Sequence, residues 1–143
     1  MARVRLETGD HDDGGEVETE LRRRLYAFNA RATGVDDGAL LVVTARDDGA
    51  GMVGGLFGWT WGGTAFVDLL FVDQDRRGRG LGSRLLAEAE AEAARRGCHQ
   101  VLLATHTFQA LEFYAARGYV ECGRFDDYPA GHAQVQLAKR LSD

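Results

Sequence analysis

The residues best suited to chemistry lie in the stretch Arg76-Arg77-Gly78-Arg79-Gly80-Leu81-Gly82-Ser83. It follows the apolar run Ala65 to Val72 and precedes a stretch with helical periodicity. Glycine lets a backbone approach a ligand with no Cβ between them. A helix start leaves N–H groups unpaired, and these attract anions. A strand, a glycine turn and a helix start therefore predict a ligand that carries phosphates, with Arg76, Arg77 and Arg79 adding positive charge beside it. A Walker loop is excluded because no lysine precedes Ser83. The dinucleotide fingerprint is excluded too: the glycines fall as Gly78-x-Gly80-x-Gly82, and the neighbourhood of Gln100 offers no acid.

Other residues could join the chemistry. Asp68 interrupts an apolar run, although the alternation of strand sides also allows it to point outward. Tyr114 carries a hydroxyl that core packing does not require. His106 stands at a strand end and could act as acid or base. Aromatic rings and carboxylates suit a cationic amine, and Trp59, Trp61, Asp126, Asp127 and Tyr128 are of those types. The bland alternatives are core tryptophans and a turn-rich loop from Asp126 to His132.

Two motifs in order make these residues more specific. Arg77-x-x-Gly80-x-Gly82 resembles the coenzyme A (CoA) pyrophosphate loop of the GNAT superfamily of N-acetyltransferases. Ala110-Leu111-Glu112-Phe113-Tyr114-Ala115-Ala116-Arg117-Gly118-Tyr119 resembles that family's second hallmark, Ala-x-x-Phe-Tyr-x-x-x-Gly-Phe/Tyr. The resemblance covers roughly Val53 to Leu141, and more weakly the whole chain. It implies acetyl-CoA as cofactor. Leu70, Phe71 and Val72 would hold pantetheine and thioester through their backbones. Arg77, Gly78, Arg79, Gly80, Leu81, Gly82 and Ser83 would hold the pyrophosphate. Thr107 matches a position, often asparagine, that bonds the pantetheine amide.

The same resemblance implies that Tyr114 protonates the leaving thiolate and that Asp68 is the general base, directly or through water. It places the acceptor among Phe28, Asn29, Trp59, Trp61, Asp127 and Tyr128. The expected reaction is direct attack by a primary amine in a ternary complex. Neither cysteine lies in a hallmark motif, so an acyl-cysteine intermediate is not expected. The acceptor would be a small-molecule or peptide amine, and homodimerisation is left open. A non-catalytic acyl-CoA-binding module is the alternative class, with Tyr114 arguing against it.

The elements that must position these residues follow from patterning. Val4 and Leu6 alternate with charges, as in a strand with one buried face. Val17, Leu21, Leu25 and Phe28 recur at helical spacing from about Glu16 to Ala30, with Thr33-Gly34 as the stop. Leu40 to Ala45, Met52 to Trp61 and Ala65 to Val72 form an antiparallel meander. Leu81, Leu85, Leu86, Ala89 and Ala93 mark one helix face, closed by Arg95, Arg96 and Gly97. Gln100 to Thr105 is a strand, the Tyr114 helix follows, and Tyr119 to Arg124 and Ala133 to Lys139 end the chain as strands. Ala30 to Gly38 holds a short second helix or only a loop. The fold class is α/β (α+β), a GNAT fold with a mixed, mostly antiparallel sheet of about seven strands and three to four helices, in a single domain 1–143.

Composition bounds the rest. The chain has 143 residues and 45% hydrophobic content, enough for one domain with a core. No run approaches the ~20 apolar residues that span a bilayer, and Met1 to Asp13 lacks a signal segment. Cys98 and Cys122 have no metal-ligand spacing and are expected as reduced, buried thiols, with no metal site. A cytoplasmic protein is expected. The net charge of −5 argues against nucleic-acid binding.

Overall fold

The computed structural model describes residues 2–141. The chain forms two units, Met1–Asp36 and Asp37–Asp143. The first unit holds one long helix, α1 (Glu16–Thr33). The Asp12 carboxylate accepts the Val17 and Glu18 N–H groups at 2.8 and 3.0 Å, which satisfies donors that a helix start leaves open. These backbone bonds, that of Glu18 first, hold the Asp12 pKa below the usual carboxylate range. Gly34 ends α1 in the left-handed conformation, its N–H bonded to Ala30 O at 2.8 Å.

The second unit is built on one sheet. Its strands are β1 (Ala39–Asp47), β2 (Gly51–Trp61), β3 (Thr64–Val72), β4 (Gln100–His106), β5 (Val120–Asp126) and β6 (Ala133–Arg140). Their spatial order is β1-β2-β3-β4-β6-β5. All neighbours are antiparallel except β3 and β4, which are parallel. A parallel pair needs a crossover, and α2 (Leu81–Arg95) supplies it. Leu85, Leu86, Ala89 and Ala93 form the buried stripe of α2. They belong to a core with Leu41, Leu56, Ala65, Val67, Val101, Leu103, Val135 and Leu137. A side chain such as Leu86, 1% exposed, contributes about 2 kcal/mol by burial. The short helix α3 (Leu111–Ala115) adds Tyr114 to the same core.

The strand expected at Val4 and Leu6 does not form, and the alternative left open from Ala30 to Gly38 is decided. Residues 2–9 form no strand, so the sheet has six strands among the described residues. Val4 and Leu6 are 86% and 94% exposed; alternation without a ladder partner does not make a strand. Residues 35–38 form a connection and not a second helix, because Gly34 closes α1 and β1 starts at Ala39. Of the cysteines, Cys98 is buried as expected and Cys122 is exposed; both are free thiols. Burial raises the Cys98 thiol above its ordinary value. No helix among the described residues is long and apolar enough to cross a membrane.

Candidate active site

The parallel ladder between β3 and β4 is short. It pairs Thr64–Val67 with Gln100–Leu103 and stops there, while both strands continue. Beyond Val67 the edge of β3 that faces β4 is freed, although its other edge stays paired to β2 as far as Val72. A cavity of about 750 Å³ occupies the gap. Its walls are Val67 to Val72 of β3, Leu103 to Thr105 of β4, the glycine loop, and Phe113, Tyr114 and Arg117 of the α3 region. That volume lies within the usual range for small-molecule sites.

At one end stands the glycine loop. Gly78 and Gly80 both have φ of +79°, which a side chain would strain, and a Cβ built on either would point into open space. Gly80 directly precedes the first turn of α2, so the unpaired N–H groups of that turn open beside the loop. Gly82 differs: its φ is not in the left-handed region, and a Cβ there would make ordinary contact with the Phe113 ring at 3.5 Å. The loop is thus a concave, donor-rich cradle that a pyrophosphate fits. Its arginines divide the work. Arg76 forms an ion pair with Asp47 at 2.7 Å and anchors the loop to β1. Arg77 donates Nε to Val72 O at 2.9 Å, lies 5.2 Å over the Phe71 ring and lines the cavity. Arg79 is exposed and is not part of the cavity wall.

Asp68 stands where the gap begins, directly after the last paired residue, Val67. The β2–β3 register passes from Phe57↔Leu69 to Gly58↔Val67, so Asp68 is the extra residue of a β-bulge. Gly58 permits this. A Cβ there would sit 2.0 Å from Phe66 O, so only glycine lets the two backbones approach. The bulge turns Asp68 to an exposed position on the cavity wall. Tyr114, also in the cavity wall, is 7% exposed, with its ring edge-on to Phe113 and Tyr119 at 5.1 and 5.7 Å. Burial raises its phenol above the ordinary tyrosine value. Its hydroxyl bonds no described residue, yet among the described residues no buried side-chain polar atom lacks a partner. The hydroxyl is therefore open to solvent on the cavity side, where a ligand atom could meet it.

The remaining candidates are spread out. Leu70, Phe71, Val72, Leu81 and Ser83 all line the cavity. Thr107 does not; its Oγ1 accepts the Ala133 N–H at 3.1 Å and ties β4 to β6. Gln109 takes the place beside the cavity, with Oε1 accepting from His106 N at 2.8 Å and Thr105 Oγ1 at 3.3 Å. Trp59 stacks on Phe66 at 5.0 Å. Trp61 pairs with Thr64, four residues before Asp68 and so about 13 Å along the strand. Phe28 and Asn29 lie near the end of α1, in the other unit. Tyr128 packs edge-on to His106, which also stacks on Phe108, a residue of the cavity wall. His132 meets Phe108 edge-on at 4.9 Å. Asp127 has φ of +59° and accepts the Gly131 N–H at 3.0 Å, which shapes the β5–β6 connection; Asp126 is the last residue of β5.

Residues 5–119 match the Acetyltransferase (GNAT) family. The chain belongs to the GNAT acetyltransferase family. Acetyltransferase Atu2258 of Agrobacterium fabrum is 37% identical over 126 residues, covering 88% of this chain and 92% of that protein. Blasticidin-S acetyltransferase of Streptomyces morookaense is 45% identical over 94 residues, 63% of this chain and 67% of that protein. A crystal structure assigned as an acetyltransferase of Agrobacterium tumefaciens superposes with a TM-score of 0.83 at 35% identity, covering 99% of this chain and all of that one. The protein is a GNAT acetyltransferase, and its acetyl donor is acetyl-CoA. The cradle at Gly78 and Gly80 and the freed edge of β3 are the features that fit that donor.

Sequence reasoning missed Gln109, Thr105 and Arg117. Arg117 stands four residues after Phe113, and that spacing places two side chains together on a helix face. Gln109 carried no such signal, because its role depends on where β4 ends.

Proposed function

We propose that this GNAT enzyme acetylates a primary amine by direct attack within a ternary complex. Asp68 serves as proton acceptor and Tyr114 as proton donor. The observation that carries this reading is the early end of the β3–β4 ladder. It opens a cavity with an anion cradle at one end and Asp68 and Tyr114 on its walls. When bound, acetyl-CoA supplies an acetyl thioester. In the balanced reaction the N–C bond forms and the C–S bond breaks. The amine proton passes to Asp68, directly or through water, and the thiolate takes the Tyr114 proton. The Tyr114 phenol is protonated at neutral pH, and burial pushes it further from ionising. Asp68 is exposed, so a neutral or cationic amine can reach it from solvent.

The acceptor we favour is a small, amine-bearing natural product of the kind named for the Streptomyces relative, blasticidin S. The rings and carboxylate near the end of β4 — His106, Phe108, Tyr128 and Asp127 — suit a flat, cationic group. A mass-spectrometric screen of the purified protein tests the reading. It would use acetyl-CoA and a library of amines that includes blasticidin S, polyamines, amino acids and peptides. An N-acetylated product is expected. Acetyl-CoA binding with no acetylated amine from any class would favour a binding module instead.

A further inference from the structure

Arg117 occupies a position that the second hallmark motif leaves unspecified, and none of the roles above uses it. Its side chain runs back over the Phe113 ring, with Cζ 3.8 Å from the ring centroid. Nε donates to Ser83 Oγ at 3.1 Å, in the first turn of α2. Nη1 donates to Phe113 O at 2.9 Å. A guanidinium has five N–H donors, so these two bonds leave three. Among the described residues Arg117 enters no ion pair. It lines the cavity with Gly78, Gly80 and Ser83. Arg76, in the same wall, is already matched by Asp47.

A half-buried cation held in one orientation beside a helix start, and without a carboxylate, lacks an anion. We propose that Arg117 is a second phosphate anchor. It would close the glycine cradle from the α3 side and bind a phosphoryl group of the nucleotide half of CoA. The Phe113 ring below and the Ser83 hydroxyl beside it pre-set the guanidinium plane, which lowers the cost of ordering it on binding.

Calorimetric titration of the full chain with CoA, 3′-dephospho-CoA and pantetheine tests this. Arg117→Gln should weaken CoA by about ten- to a hundredfold, the worth of one hydrogen bond to a charged group, and leave pantetheine within twofold. An equal loss for 3′-dephospho-CoA assigns the pyrophosphate. No loss for that ligand assigns the 3′-phosphate. Arg117→Lys keeps the charge without the fork and serves if the glutamine variant does not fold; about a threefold or greater loss for CoA alone is expected. CoA binding unchanged in the folded variants, or pantetheine weakened in the same ratio as CoA, would show that Arg117 only braces α3 against α2. If wild-type protein did not bind CoA at all, the cofactor assignment and not this residue would be at fault.

Discussion

The two ends of the proposed site are built from different materials. At the proposed phosphate end, the groups on offer are backbone N–H donors and glycine positions with φ of +79°, and the nearby side chains are pinned: Arg76 to Asp47, Arg77 to Val72, Arg117 to Ser83. At the proposed acceptor end, which meets the cavity wall through Phe108, the groups are rings and carboxylates on the end of β4 and the β5–β6 connection, held chiefly by one another. A backbone cradle suits a cofactor that never changes. An exposed cluster of side chains can be exchanged residue by residue to suit a new acceptor without disturbing the sheet. Between the ends, Asp68 and Tyr114 sit where the ladder has opened.

If that division holds, variants should sort into those that lose chemistry, those that lose the cofactor and those that change only the acceptor. The largest effect is expected at Tyr114. Tyr114→Phe should lower kcat by about 10²- to 10⁴-fold with CoA affinity unchanged by calorimetry. Because burial raises the phenol, it donates below that raised value and stops donating as pH climbs through it. The wild-type rate should therefore show no falling limb from Tyr114 below about pH 10. Full activity in the phenylalanine variant would reduce the residue to packing.

Gly80→Val comes next. A β-branched residue at φ of +79° is strained, and the cradle that depends on that turn should lose CoA affinity by about a hundredfold. Far-UV circular dichroism should be unchanged. Wild-type affinity would mean that the loop is an ordinary helix entry.

Asp68→Asn keeps the shape of the bulge and removes the base. A loss of kcat/KM for the amine of roughly tenfold to a hundredfold is expected at neutral pH. Partial recovery should appear at high pH, where more of the amine is already neutral. A pH–rate profile that matches wild type would assign the proton to water or to His106.

The smallest effect belongs to the acceptor end. Asn tolerates a positive φ as Asp does and can still accept the Gly131 N–H, so Asp127→Asn removes charge while keeping the turn. KM for a cationic amine should rise by about threefold, with kcat nearly unchanged, and the difference should shrink with added salt. A KM indifferent to the change would leave Asp127 as a turn residue and move recognition to the rings.

What the sequence determined by itself is the part of this protein that local chemistry dictates. Strand, glycine loop and helix start are contiguous in the chain, so Ala65 to Leu86 could be read as an anion site without any tertiary knowledge. The meander, α2 and the last two strands were legible for the same reason, since apolar periodicity and turn residues are local signals. Alternation misled at Val4 and Leu6, where nothing pairs with the segment.

Tertiary structure alone decided the rest. That Asp68 is a bulge residue depends on Gly58 across the β2–β3 ladder. That Tyr114 is buried and still opens to the cavity depends on how a five-residue helix meets the core. That Thr107 binds Ala133 while Gln109 faces the cavity depends on β6 arriving beside β4. Arg117 meets Ser83 across 34 positions of sequence. Side-chain direction across such separations is set by packing, and packing is a property of the assembled elements, so no local reading of residue types could supply it.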